Sequence, residues 1–180
     1  MDLTTPQKRK EAKQHFQIRM GRCLAAAIKA WQSMDAAERK AFKAVVGQFN
    51  RIRKHLEQKA IDQGISRACK AAIPDCRGDC CRWHFPTSLS TLDFLIAVCH
   101  MTTTEMVQLQ RLAESRGGRY QCPFLQPDGC VFTFEQRPLA CTVAYPCHAG
   151  ESYHRFADDT KRAANRLREK LWAIARKPEL

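Results

Sequence analysis

Residues 16–31, FQIRMGRCLAAAIKAW, hold the pattern that decides the fold. Their apolar side chains recur at intervals of three and four residues, which places them on one stripe of an α-helix. The stripe consists of Phe16, Met20, Cys23, Leu24, Ala27, Ile28 and Trp31. A helix with such a stripe needs apolar partners that cover it, so the rest of the chain must supply further packing elements.

A second helix is predicted directly downstream. Asp35 and Glu38 have the spacing of a capping box, which marks a helix start. Apolar residues then continue at helical spacing towards a predicted end near Gly64; they are Phe42, Val45, Val46, Phe49, Ile52 and Leu56. Because the link between the two helices is short, we predict that they lie antiparallel as a hairpin.

Further helices are predicted in the second half of the chain. Ser90 and Asp93 form another capping box that opens an apolar segment, and residues 102–105 start a helix that Gly117-Gly118 closes. Residues 131–134 are predicted as a short strand, and residues 156–176 as a C-terminal helix with the apolar series Ala163, Leu167, Leu171 and Ile174. The expected fold class is mostly α, with a helical hairpin and a C-terminal helix around a loop-rich cysteine metal-binding module.

Charge and thiols are separated along the chain of 180 residues, whose formal net charge is +12. Residues 1–70 carry 16 basic and 6 acidic side chains, and form the predicted basic helical hairpin. Residues 71–150 are close to neutral and form the predicted cysteine-rich module, while residues 151–180 form the helix that is expected to pack on the first part. No apolar run is long enough for a membrane span, and the N-terminus lacks the apolar region of an export signal, so a cytoplasmic protein without membrane contact is expected.

The ten cysteines far exceed what packing alone requires. In a reducing compartment, clustered cysteines bind metal or do redox chemistry more often than they form disulfides. We predict seven metal ligands: Cys76, Cys80, Cys81, Cys122, Cys130, Cys141 and Cys147. Cys23 and Cys99 lie in apolar patterns and are predicted core residues, whereas Cys69 is left open. His84 and His148 could each complete a site or be ordinary surface histidines.

The predicted ligands lie beside glycine and proline residues, whose turns direct thiolates inward. Thiolates suit zinc or iron–sulfur clusters and match Mg²⁺ and Ca²⁺ poorly. Spacing by itself does not choose between the two, because neither the paired C-x-x-C of a zinc ribbon nor the run of a bacterial ferredoxin is present.

This constellation resembles a cysteine-cluster family described as zinc- or iron-chelating and often called YkgJ-like. Its members carry a C-x-x-C-x-x-C-C block, followed by C-x-x-L, an isolated cysteine, R-P-x-x-C and an aromatic-Pro pair. The counterparts here are Cys80-Cys81, Cys122-Pro123-Phe124-Leu125, Cys130, Arg137-Pro138-Leu139-Ala140-Cys141 and Tyr145-Pro146. The resemblance implies a bound metal, with iron–sulfur clusters in some members. Two departures are the spacing of Cys76, four residues before Cys80 where the family has three, and Thr142 in place of an arginine.

Three functional hypotheses follow. The first is a metal-binding protein with an iron–sulfur cluster or iron, zinc being the alternative metal, in a redox or accessory role with an unidentified protein partner. The second is a zinc-stapled adaptor whose basic helices bind nucleic acid or an acidic protein surface, which is less favoured because basic runs are usually solvated helix faces. The third is a thiol enzyme that uses Cys80 or Cys81 as nucleophile beside a histidine.

Overall fold

The described part of the chain is mostly helical, which confirms the predicted mostly α class; most of the predicted cysteine-rich module lies outside the described residues. The structure, a computed structural model, describes residues 6–68, 71, 89–115, 122–126, 129–138, 141 and 149–175. The elements are α1 (Pro6–Ser33), α2 (Ala36–Asp62), α3 (Thr91–Val98), α4 (Thr103–Ser115), β1 (Leu125–Gln126), β2 (Gly129–Cys130) and α5 (Glu151–Ile174). Within these residues, no helix combines the length and the apolar character that crossing a bilayer requires.

Side-chain caps start α2 and α3 where the sequence predicts them. The Glu38 backbone N–H donates to the Asp35 carboxylate at 2.8 Å, and the Asp35 backbone N–H donates to the Glu38 carboxylate at 3.0 Å. Ser90 and Asp93 make the same reciprocal pair at the start of α3. Beyond the end of α2, Gly64 adopts a left-handed φ of +71°, which glycine tolerates because it has no Cβ.

The two helices of the predicted hairpin have different main packing partners. α1 packs chiefly against α3 and α4, whereas α2 packs chiefly against α5. Where the chain turns from α1 to α2, the Trp31 and Phe42 rings lie 6.0 Å apart and join both helices to one core. All eight residues of α3 are buried, so this short helix lies inside the molecule, as the apolar run of residues 94–98 requires.

An ion pair ties α5 to the start of α3. Arg168 Nη1 donates to Asp93 Oδ1 at 2.6 Å, and Arg168 Nη2 donates to Ser90 Oγ at 3.2 Å. Asp93 is only 4% exposed, so the guanidinium supplies the counter-charge that a buried carboxylate needs. A single side chain from α5 therefore stabilises both the cap of α3 and the contact between the two helices.

Two predicted elements need correction. The strand predicted at residues 131–134 is wrong: the paired residues are those of β1 and β2, immediately upstream. A turn is found there instead, since the Arg137 backbone N–H donates to Thr133 O at 3.1 Å. The C-terminal helix begins at Glu151, ahead of the predicted start at Phe156. The predicted stop at Gly117-Gly118 lies outside the described residues.

Candidate metal centre

The described part of the chain contains three of the seven predicted ligands, namely Cys122, Cys130 and Cys141. All three are half-buried and lie at the edge of the core. By contrast, Cys23 and Cys99 are 5% and 2% exposed within the core, which confirms their predicted role in packing. The remaining predicted positions lie outside the described residues; they are Cys76, Cys80, Cys81, Cys147, Cys69, His84 and His148.

Cys122 and Cys130 belong to one small antiparallel hairpin. The Leu125 backbone N–H donates to Cys122 O at 3.1 Å, which closes a turn after the first cysteine. Leu125 then pairs with Cys130 across β1 and β2, and the Val131 backbone N–H donates to Phe124 O at 2.9 Å. We call residues 122–126 and 129–131 the cysteine hairpin, because this pairing holds its two thiol-bearing residues on adjoining segments.

Aromatic packing anchors the cysteine hairpin to α3. Phe124 is fully buried, and its ring centroid lies 5.7 Å from that of Phe94 and 5.0 Å from that of Phe132. The tilted and edge-on arrangements of these rings are the favourable ones for aromatic pairs. Since Phe94 belongs to the buried helix, the rigid part of the core determines where the thiols of the cysteine hairpin lie.

A hydrogen-bonded turn leads from the cysteine hairpin towards Cys141. The Thr133 backbone N–H donates to Gln136 Oε1 at 2.9 Å, and Arg137 Nε donates to Phe132 O at 3.2 Å. The Cys141 backbone N–H donates to Pro138 O at 3.0 Å. Residues 132–134 therefore take part in the hydrogen bonds of a turn and not in the strand-to-strand hydrogen bonds that the sequence predicts.

Arg53 of α2 stabilises this turn through hydrogen bonds. Its side chain is fully buried, and Arg53 Nη1 donates to Glu135 O at 3.2 Å and to Asn50 Oδ1 at 3.0 Å. Arg53 Nη2 donates to Phe134 O, and the guanidinium carbon lies 4.9 Å from the centroid of the Phe134 ring. The guanidinium therefore takes three acceptors, two of them backbone carbonyls that the turn directs at α2.

The Arg53 guanidinium also lies within electrostatic range of Cys141. Burial lowers the pKa of Arg53 to about 10, and negative charge on Cys141 and on Glu135 acts in the opposite direction. Arg53 is thus cationic at neutral pH, and a thiolate at Cys141 gains from this neighbour. A buried cation of this kind is suited to offsetting the negative charge of a thiolate cluster.

Two further charged groups lie at this end of α2. Lys54 Nζ lies 3.6 Å from Glu135 Oε1, and both side chains are largely exposed. The backbone N–H of Glu135 lowers the pKa of its own carboxyl, and Lys54 acts in the same direction. Partial burial lowers the pKa of His100, as do Lys43 and Arg53, so this imidazole is predominantly neutral at pH 7.

Arg53 is not among the site residues predicted from the sequence, although the sequence contains a signal for it. Arg53 lies four residues after Phe49 and three before Leu56, both of which are on the apolar stripe of α2. Helical spacing therefore placed a charged residue on the buried face, where it needs a partner. The carbonyl groups that accept from Arg53 belong to Phe134 and Glu135, which lie 81 and 82 positions further along the chain. No local sequence pattern specifies such distant partners.

The described cysteines have the right chemistry for a soft metal but are not a complete site. Among the described residues, no three His, Cys, Asp or Glu side chains form a group that could hold a metal ion. Thiolates are nevertheless the ligands that zinc and iron–sulfur clusters take. Any centre built on the cysteine hairpin and Cys141 therefore needs ligands from elsewhere in the chain.

The chain matches no family model, no curated protein and no solved structure.

Proposed function

We propose that this protein binds a metal through its cysteine cluster, as an iron–sulfur cluster or iron rather than zinc, in a redox or accessory role. The observation that carries the proposal is the placement of Cys141 beside a fully buried guanidinium, on a turn that follows directly from the cysteine hairpin. Cys122, Cys130 and Cys141 would supply one side of the centre. Cys76, Cys80, Cys81 and Cys147 would complete it.

The number of the thiols supports iron over zinc, and their placement supports metal binding. A structural zinc needs four ligands, and six or seven thiols exceed that number. Cys122, Cys130 and Cys141 are half-buried at the core edge, whereas the two packing cysteines are inside it. For Cys141, partial exposure is combined with the nearby Arg53 cation, an environment that favours the metal-binding thiolate.

Arg53 would contribute to the properties of such a centre. A thiolate-bound cluster carries negative charge, and positive charge and hydrogen-bond donors near its ligands change its reduction potential. When bound, an iron–sulfur cluster would supply one-electron chemistry or organise a neighbouring site. The role of the polypeptide would be to hold the thiols in place, because Arg53 and Phe124 fix the turn and the cysteine hairpin to the helices.

Metal content and the electronic spectrum of protein purified without air test the proposal. We expect brown protein with iron, acid-labile sulfide and visible charge-transfer absorption. Colourless protein with stoichiometric zinc would overturn the iron assignment. Protein that contains neither metal, and takes up neither after reduction, would overturn the metal-binding function altogether.

Matched alanine variants then test which thiols hold the metal. We expect Cys130→Ala and Cys141→Ala to lose at least half of the bound metal, because each would remove a ligand. Cys23→Ala and Cys99→Ala should retain it, because these side chains are buried in the core. Far-ultraviolet circular dichroism would verify that all four variants are folded. Equal retention of metal in all four would contradict the assignment of these ligands.

A further inference from the structure

The outer face of α2 carries a line of exposed cations. Lys43 lies three residues after Lys40, Arg51 eight residues after Lys43, and Lys54 three residues after Arg51. Multiples of three and four residues place all of them on one face of the helix, outside its buried apolar stripe, and the four cations are exposed. With Gly47 at the centre, we call these five residues the α2 basic stripe.

Acidic neighbours compensate this stripe only weakly. Lys54 has the exposed Glu135 at 3.6 Å, and an ion pair of this kind contributes little. Lys40, Lys43 and Arg51 form no ion pair with an acidic side chain within the described part of the chain. Lys43 Nζ lies 5.6 Å from the centroid of the Trp31 ring, which helps to orient this cation.

Gly47 is the second observation, because the fold does not require a glycine there. A Cβ at this position would meet no atom within 4 Å. Glycine in a helix interior costs about 1 kcal/mol relative to alanine, and here no close packing explains that cost. Because Gly47 has no side chain, the helix surface between Lys43 and Arg51 is flat, and the backbone of a ligand can approach it closely.

We propose that the α2 basic stripe binds the phosphate backbone of duplex DNA, without reading its sequence. One pair of cations, Lys40 and Lys43, precedes Gly47, and a second pair, Arg51 and Lys54, follows it. Lys43 and Arg51 are separated by about 12 Å along the helix axis. The major groove of B-form DNA is about 12 Å wide, so each pair of cations meets the phosphates of one strand. The narrow major groove of duplex RNA does not offer this match.

The composition of the stripe favours phosphate over a protein partner. Between Lys40 and Lys54 no large apolar side chain is exposed, whereas the centres of protein interfaces are built from apolar and aromatic anchors. No aromatic side chain is exposed there either, so the stripe offers no platform for stacking unpaired bases. Duplex backbone is the partner that matches two pairs of cations on one face of a helix. This inference does not depend on the proposed metal centre.

Fluorescence anisotropy with a random-sequence DNA duplex, over a salt series, tests the proposal on the full-length protein. With four phosphate contacts, the affinity should fall about 150-fold between 50 and 200 mM salt. The double variant Lys40→Gln/Arg51→Gln should fall only about 12-fold over the same range, because two contacts remain. Arg22→Gln/Lys29→Gln removes the same charge from exposed positions of α1 and should behave as the parent does.

A pair of glycine variants tests the close approach separately. Gly21 resembles Gly47 in that a Cβ there would meet no atom within 4 Å. We expect Gly47→Gln to weaken DNA binding at least fivefold and Gly21→Gln to leave it unchanged.

Four results would overturn the proposal. They are no measurable DNA binding by the parent protein at 50 mM salt, equal losses in the two charge variants, equal affinities of the two glycine variants, and tighter binding to duplex RNA than to DNA. Metal content measured on the same samples is expected to be unaffected by any of these substitutions.

Discussion

Replacing Phe124 by alanine should detach the cysteine hairpin from the core. The Phe124 side chain is 0% exposed and contacts the Phe94 and Phe132 rings at centroid distances of 5.7 and 5.0 Å. Truncation of a buried phenylalanine to alanine costs about 3–5 kcal/mol, and two aromatic pairs are lost as well, so we expect about 4 kcal/mol. For a chain of this length, that corresponds to a fall in Tm of about 8–16 °C.

Urea unfolding followed by circular dichroism measures this loss against two controls. Phe124→Leu keeps most of the side-chain volume and should cost about 1 kcal/mol. Val131→Ala lies on the same hairpin at a position that is 36% exposed, and should change the free energy of unfolding by less than about 0.5 kcal/mol. If Phe124→Ala were no more destabilising than Phe124→Leu, the ring would not be the anchor of the cysteine hairpin and our account of how its thiols are placed would fail.

The other predictions concern buried charges. Arg53→Met should lower the free energy of unfolding by about 2–4 kcal/mol, because three acceptors lose their donor. A loss below about 1 kcal/mol in urea unfolding would show that the Arg53 hydrogen bonds do not hold the turn in place. Asp93→Asn should cost about 2–3 kcal/mol by leaving the partly buried Arg168 without its carboxylate, whereas Glu151→Gln, in an exposed pair, should cost less than 1 kcal/mol. The pKa of His100 is lowered in the folded state, so its contribution to stability is present above pH 6.5 and is lost as the pH falls. Between pH 7.5 and 5 the parent Tm should therefore fall further than that of His100→Gln, and parallel curves would contradict this.

Local sequence patterns predict the helices well because their signals lie within one or two turns. The reciprocal caps at Asp35 and Ser90 depend on a partner only three residues away, and the apolar stripes of α1 and α2 depend on spacing alone. The strand predicted at residues 131–134 fails for the opposite reason. Four residues, Val-Phe-Thr-Phe, specify little, and the turn found there is stabilised by Arg53, which lies on α2.

The pairing of elements and the environment of the thiols depend on the tertiary structure. By itself, the sequence determined which residues form helices, which cysteines are packing residues and where the excess positive charge lies. It did not determine that α2 packs on α5, that Phe124 anchors the cysteine hairpin, or that the backbone carbonyls of Phe134 and Glu135 accept from Arg53. Helix periodicity is a short-range property of the backbone. A buried cation, by contrast, is stable only where acceptors from distant parts of the chain converge on it, and only the folded arrangement brings them there.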